Sequence, residues 1–339
     1  MFGKFWARVK AFFARPFRRA PVPGHFESGS KFTWRGFLAV APLVQPSRDF
    51  LLYVPQGRPR WKRVPLLVLC HGCKQTPEEF ARGSRITALA DRMGMLVLLP
   101  RQKDAANRYR CWNWFDSRTA RGAGEAAIVA AQIKSVLRSH RGDSKRVIVA
   151  GISAGGALAA VLGVRHPGLV TAVAVHSGLA CGAAASPLSA LNVMKRGPDG
   201  DVERIADAAR LTTNRGALPV PLLAVHGDTD DVVAPINGIA LVRQYLRLNG
   251  HPAINRGSTA RTAALPPADA TARLALDNGR TQTVHEWRVD RRLVARYITV
   301  TGLAHGWSGG DDALPFHDSA APDATALLGA FIEDAIFLS

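Results

Sequence analysis

Gly151-Ile152-Ser153-Ala154-Gly155 has the form G-x-S-x-G and stands between a β-rich run, Arg146 to Ala150, and an alanine-rich stretch that reads as helix. At such a junction the serine occupies a strained turn that lifts its hydroxyl above a sheet, where side chains larger than glycine would collide with strand and helix. A hydroxyl becomes a useful nucleophile when an imidazole takes its proton, and the imidazole needs a carboxylate to fix its tautomer. The alternative is a serine N-cap held between two glycines.

Where this turn carries a nucleophile, the chain order is serine, then acid, then histidine, with the partners on loops after later strands. His226-Gly-Asp-Thr-Asp230-Asp-Val-Val233 directly follows a predicted strand, Pro221 to Val225. His305, in Gly-Leu-Ala-His305-Gly-Trp307, follows a predicted strand ending at Thr301. Three aspartates compete for the acid: Asp230 aligns with H-G-x-x-D-x-x-V, while Asp228 and Asp231 suit hydrogen bonds to the turn backbone. Of the ten histidines, His71 and His226 precede glycine at strand ends and read as loop-orienting, while His305, in a glycine-rich loop beyond the last predicted strand, is the expected base. The oxyanion needs two backbone donors, one from Ala154, the residue after the nucleophile. The second is expected from the loop Cys70-His71-Gly72-Cys73, with Cys73 N–H first and Lys74 as its neighbour.

The elements that must position these residues alternate. Strands are predicted at Phe50 to Pro55, Pro65 to Cys70, Met95 to Pro100, Arg146 to Ala150, Val170 to Val175 and Pro221 to Val225. Helices are predicted at Glu78 to Met93, Gly124 to Ser139, Gly156 to His166 and Pro235 to Leu248. Such alternation implies an α/β fold, a mostly parallel central sheet covered by helices on both faces. Cys181 to Gly216 reads as a small insertion, residues 252 to 282 as an exposed excursion, Glu286 to Val289 and Leu293 to Thr301 as late strands, and Ala321 to Leu338 as a closing helix.

The 339 residues are 47% hydrophobic and 21% charged, a composition that excludes a disordered or collagenous chain. No apolar run approaches the roughly 20 residues that a membrane-spanning helix needs. The net charge of +18 favours anionic partners. Six of the cations, Lys4, Arg8, Lys10, Arg15, Arg18 and Arg19, interleave with Phe2, Phe5, Trp6, Phe12, Phe13 and Phe17 in a basic amphipathic helix. That helix reads either as an interfacial anchor on an anionic membrane or granule surface or as a docked or solvated tail. Charges interrupt its apolar residues every few positions, unlike a secretory signal, so a cytoplasmic location is expected. Prolines 16, 21 and 23 end the helix, and the division expected is a basic segment and linker over 1–29 and one catalytic domain over 30–339. A nucleic-acid module is absent, so no specific nucleic acid is expected. Neither H-E-x-x-H nor G-x-x-x-x-G-K-[ST] occurs, and four cysteines without paired spacing offer no zinc site, so no metal or cofactor is expected.

Five ordered blocks together resemble the polyhydroxybutyrate-depolymerase-type esterases of the α/β-hydrolase superfamily over about residues 48 to 335. They are His71-Gly72-Cys73-Lys74-Gln75, Arg110-Cys111-Trp112-Asn113-Trp114-Phe115, Gly151-Ile152-Ser153-Ala154-Gly155-Gly156, His176-Ser177-Gly178-Leu179 and His305-Gly306-Trp307-Ser308-Gly309-Gly310. The resemblance implies a serine esterase acting on poly- or oligo-(3-hydroxyalkanoates), or on acetyl or feruloyl esters of plant polysaccharides. It also implies Ser153, Asp230 and His305 as a triad with Cys73 N–H as an oxyanion donor, and brings Cys73 and Cys111 within reach of a disulfide. In the reducing compartment expected for this chain both would be thiols. Trp112, Trp114 and Trp307 lie beside these blocks and read either as walls of an ester-binding crevice or as core. The competing reading from another class is a non-catalytic protein that coats a granule or membrane surface through residues 1–19.

Overall fold

Val64–Cys70, all seven residues buried, is the kind of uninterrupted apolar run that a strand covered on both faces requires. In the computed structural model, which describes residues 24–32, 47–57, 62–212, 219–254 and 264–337, this run is β3 of a ten-stranded sheet. The other strands are β1 (His25–Phe32), β2 (Ser47–Val54), β4 (Leu96–Pro100), β5 (Gly142–Ile152), β6 (Ala172–His176), β7 (Leu222–Gly227), β8 (Ala270–Ala275), β9 (Thr281–Val289) and β10 (Arg292–Val300). Their spatial order is β1-β2-β4-β3-β5-β6-β7-β10-β9-β8. The six central strands from β4 to β10 run parallel, and the pairs at either edge are antiparallel.

Alternation along β3 divides the core. Leu66, Val68 and Cys70 face one layer and Leu67 and Leu69 the other, as a period of two dictates. The helices are α1 (Pro77–Gly83), α2 (Ile86–Met93), α3 (Ser117–Ala120), α4 (Gly124–Ser139), α5 (Ala154–Arg165), α6 (Pro187–Arg196), α7 (Val202–Thr212), α8 (Ile236–Leu248) and α9 (Ala324–Ile332). Val129 of α4, Leu158 of α5 and Leu241 of α8 join the first layer; Phe80 of α1, Ile86 of α2 and Phe331 of α9 join the second.

Several expectations change. The helix predicted from Glu78 to Met93 is two, because Arg85 adopts φ 54° and Ser84 Oγ donates to the Phe80 carbonyl. The linker expected to reach Gly29 is already strand from His25. Gly29 lets the Phe50 ring cross β1, since a Cβ there would stand 2.4 Å from it. The excursion expected over 252 to 282 contains β8 and the start of β9. β8 buries no residue fully, so its apolar signal is faint. The irregular insertion contains α6 and α7, the latter tied to α8 by Arg243–Glu203 and Arg247–Asp207. The helix expected over residues 1–19 lies outside the described residues.

β10, which leads into the loop of His305, is pinned by a buried charge cluster. Arg296 is fully buried and donates through Nε to Glu286 Oε1 on β9 (2.7 Å) and through Nη2 to Asp334 (2.8 Å) beyond α9. Glu286→Ala takes one carboxylate from this guanidinium and leaves it Asp334, so urea unfolding should show a loss of about 1.5–3 kcal/mol; a loss below about 0.5 kcal/mol would show that Arg296 does not need Glu286.

Candidate active site

Ser153 stands between β5 and α5 with φ 56° and ψ −125°, a conformation in which L-residues are strained. Two glycines make it possible. A Cβ on Gly155 would lie 2.2 Å from the Cys70 carbonyl oxygen, and one on Gly151 would lie 2.5 Å from the Gly155 backbone. Ser153 N–H donates to the His176 carbonyl (3.0 Å), fastening the turn to the end of β6. The serine side chain makes no capping bond to α5, which removes the N-cap alternative.

Asp230 is buried on the turn after β7. Its Oδ1 accepts from Val232 N–H (3.0 Å) and Val233 N–H (2.8 Å), and its Oδ2 lies 2.8 Å from His305 Nδ1. Burial raises this carboxyl, but the His305 hydrogen bond and charge, the Val233 amide and His226 outweigh it, and the group ends below the usual carboxylate range. His305 therefore donates from Nδ1 and keeps its Nε2 lone pair for a proton. Ser153 Oγ has no hydrogen-bond partner among the described residues. Bonds between nucleophile and base commonly close only around substrate.

The acid and base loops are locked together. Asp228 N–H donates to the Val300 carbonyl (3.0 Å), and Asp228 Oδ1 accepts from Gly302 N–H (2.7 Å). Gly227 is needed at this crossing, because a Cβ would overlap the Leu303 carbonyl at 1.8 Å. Asp228 thus bonds the backbone of the base loop rather than its own turn, and Asp231 contributes its carbonyl to Lys195. His226 orients a loop as expected, its Nε2 donating to the Val233 carbonyl (2.8 Å).

Neither Cys73 N–H nor Ala154 N–H has an acceptor among the described residues, whereas Lys74 N–H is spent on the Tyr109 carbonyl (2.7 Å). Of the two neighbours, Cys73 keeps the free donor. The Cys73 loop is held from several sides. Gly72 N–H donates to Gln75 Oε1 (2.8 Å), and Gln75 Nε2 reaches across to the Pro315 carbonyl (2.9 Å). His71 accepts at Nε2 from Gln102 N–H (3.2 Å) and donates from Nδ1 to the Gly72 carbonyl (2.8 Å). The expectation of thiols is overturned: Cys73 and Cys111 form a disulfide, so the oxyanion loop is covalently tied to the Trp112–Trp114 block. Closing that 38-residue interval stabilises the fold by roughly 4 kcal/mol on a chain-entropy argument.

The substrate-wall reading of the tryptophans is also corrected. Trp112, Trp114 and Trp307 are 0, 3 and 3% exposed. Trp112 Nε1 donates to the His71 carbonyl (3.1 Å), Trp307 Nε1 to Thr325 Oγ1 (3.1 Å) with its ring against Phe80, and Trp114 packs on Phe115. They shape the site from beneath. A cavity of about 280 Å³ opens beside His305, lined by Asp312, His317 and Ser319 among others.

Two residues were not legible as contributors. Glu125, at the start of α4, is a buried hub: Oε1 accepts from Arg48 Nη2 (3.2 Å), Gln102 Nε2 (2.6 Å) and Asn113 Nδ2 (2.9 Å), and Oε2 from Asn113 N–H (2.7 Å). Its only sequence signal is an acid opening an apolar helix. His176, quoted only as part of a block, supports Ser153 through its carbonyl, and its ring nitrogen lies 3.5 Å from Ser308 Oγ beyond the base. Among the described residues no group of three His, Cys, Asp or Glu is arranged to hold a metal ion.

Residues 48–265 match the family described as Esterase PHB depolymerase. The chain is 32% identical over 200 residues to a poly(3-hydroxyalkanoate) depolymerase C of Paucimonas lemoignei, covering 58% of this chain and 48% of that protein. It is 27% identical over 193 residues to a feruloyl esterase B of Neurospora crassa, covering 55% and 65%. The chain thus spans about half to two thirds of these relatives' lengths. Among solved structures, an acetyl xylan esterase from Aspergillus awamori superposes with TM-score 0.64 at 19% identity, covering 83% of this chain and 94% of that one. The fold is the α/β-hydrolase fold.

Burial holds His71 down to about 4, and burial together with the charges of His226 and His305 holds His176 down to about 3. Unfolding frees both to protonate near 6.5, so the unfolded chain binds more protons below that pH and stability falls with acid. The denaturant midpoint should therefore drop steadily from pH 6.5 towards pH 4; a midpoint flat across this window would mean that the two imidazoles are not buried neutral.

Proposed function

We propose that this chain, which belongs to the PHB depolymerase esterase family, hydrolyses carboxylic esters through an acyl-enzyme, with Ser153, His305 and Asp230 as its triad. The observation that carries the reading is the 2.8 Å contact between His305 Nδ1 and the buried Asp230 carboxylate, on loops that follow parallel strands at the same sheet edge as the Ser153 turn. In the reaction, His305 Nε2 takes the Ser153 proton as Oγ attacks the acyl carbonyl carbon. The negative oxygen of the tetrahedral intermediate accepts from Cys73 N–H and Ala154 N–H, two donors with no acceptor among the described residues. His305 returns the proton to the leaving alcohol, and water repeats the sequence to release the acid and free Ser153.

The substrate class we propose is poly- or oligo-(3-hydroxyalkanoate), supported by the depolymerase name of the Paucimonas lemoignei relative. The feruloyl esterase name of the Neurospora crassa relative supports a second reading, an acetyl or feruloyl polysaccharide esterase. Residues 1–19 are proposed as an anchor on an anionic membrane or granule surface, on the strength of their interleaved cations and aromatics. The Cys73–Cys111 disulfide supports action in an oxidising compartment over the cytoplasm, since such bonds persist where thiols are not kept reduced.

Ser153→Ala should remove p-nitrophenyl butyrate hydrolysis by on the order of 10⁴–10⁶-fold, and Asp230→Asn should lower kcat by about 10⁴-fold, both with unchanged circular dichroism. Turnover retained by folded Ser153→Ala protein would sink the reading. Hydroxybutyrate oligomers, acetylated xylan and feruloyl esters offered to the same preparation decide the acyl class.

A further inference from the structure

At the opposite end of β5 from Ser153 lies a cavity of about 530 Å³ whose lining is cationic. Arg63 precedes β3, Lys134 and Arg138 stand one turn apart on α4, and Arg141 follows that helix; Ser144 of β5 supplies a hydroxyl. None of the lining residues is acidic. The side chains of Arg63, Lys134 and Arg138 have no carboxylate within 4.0 Å among the described residues. The nearest acid in sequence, Asp143, is engaged by Arg146 Nε (2.7 Å) and Lys145 N–H (2.9 Å). One cation near a helix C-terminus is expected, because it offsets about half a negative charge on the terminal carbonyls. Even the three without a carboxylate exceed that need, and held together they repel one another.

The floor of the cavity is also specifically built. Arg141 takes φ 49°, a left-handed position that glycine or asparagine fills at low cost and arginine does not. Gly142 follows because a Cβ there would stand 2.6 Å from Leu137 Cδ2. This strained turn sets Arg141 and Ser144 on either side of the tight Gly142 crossing. Several guanidinium and ammonium donors converging from different elements suit a tetrahedral oxyanion, whose oxygens accept from several directions, better than a planar monocarboxylate.

We propose that this cavity binds a phosphate-bearing anion of at least two negative charges, either a soluble phosphate ester or the phosphomonoester headgroup of a lipid. The eleven residues of β5 place it on the order of 30 Å from Ser153. It is a second site, and it stands or falls independently of the esterase reading.

The test uses the full chain, pyrophosphate titrated calorimetrically, and flotation with phosphatidylcholine vesicles containing phosphatidic acid. Lys134 and Arg138 are exposed, so Lys134→Gln/Arg138→Gln removes two charges without disturbing the core. Arg273→Gln/Arg292→Gln removes the same charge from β8 and the start of β10, outside the cavity lining, and serves as the control. The expected result is pyrophosphate binding weakened at least about tenfold in the cavity variant and unchanged in the control, with ester hydrolysis equal in all three proteins. Flotation lost in the cavity variant alone assigns the anion to a lipid; flotation absent or indifferent to the substitution, with pyrophosphate binding lost, assigns it to a soluble ester. Equal losses in both variants, or no binding by the parent in either arm, overturn the proposal, because the first is adsorption by net charge and the second is no site at all.

Discussion

The carboxylate of Asp230 is the constraint around which the upper rim is built. A buried anion is costly unless its lone pairs are met, and here two backbone amides and one imidazole meet them. Holding the third donor in place requires the loop of residue 305 to lie against the loop of residue 230. The Gly227–Leu303 approach and the two bonds of Asp228 do that. Adjacent parallel strands bring the loops to one edge, and β10 is itself fixed by Arg296 beneath. The imidazole is thus oriented by a stack of interactions that begins in the sheet.

The other side of the rim is fixed by different physics. A backbone N–H aimed at a developing negative charge is effective when it cannot turn away. The loop carrying Cys73 is short, and its neighbour Lys74 adopts φ 63°. It is clamped by the disulfide to Cys111, by Lys74 N–H on Tyr109, and by His71 between Gln102 and the Trp112 indole. Those anchors themselves depend on Glu125, which binds Gln102 and Asn113 on either side of Cys111. Charge buried in the body of the domain therefore stiffens the loop that carries the Cys73 amide.

Legibility in the sequence followed the range of the forces involved. The central strands and α4 were readable because burial on one or both faces writes its period directly into a few successive residues. Ser153, Asp230 and His305 were readable as candidates because each lies within three residues of a glycine that a tight turn or close approach demands. β1 and β8 were not: an edge strand needs little apolar surface, so its alternation is weak. The break at Ser84–Arg85 depends on a side-chain bond to Phe80 and a left-handed residue, neither of which has a periodic signature. Glu125 and the Cys73–Cys111 pair depend on contacts 12 to 77 residues apart, and the tryptophans were legible as important but not in which direction they pointed.

Burial of all three tryptophans also limits where selectivity for the acyl group can arise. Trp112 supports the oxyanion loop, and Trp307 props the loop after His305 against Phe80 and Thr325. A residue committed in this way to the core cannot be changed without moving the loops of Cys73 and His305. Selectivity then falls to rim segments whose side chains can change without moving those groups. In the cavity beside His305 the exposed Asp312 is such a residue, whereas His317 packs on Phe80 and is part of the frame. The relatives named as a depolymerase and a feruloyl esterase match this chain over 58% and 55% of its length, so a likeness of this kind does not by itself fix which ester is taken.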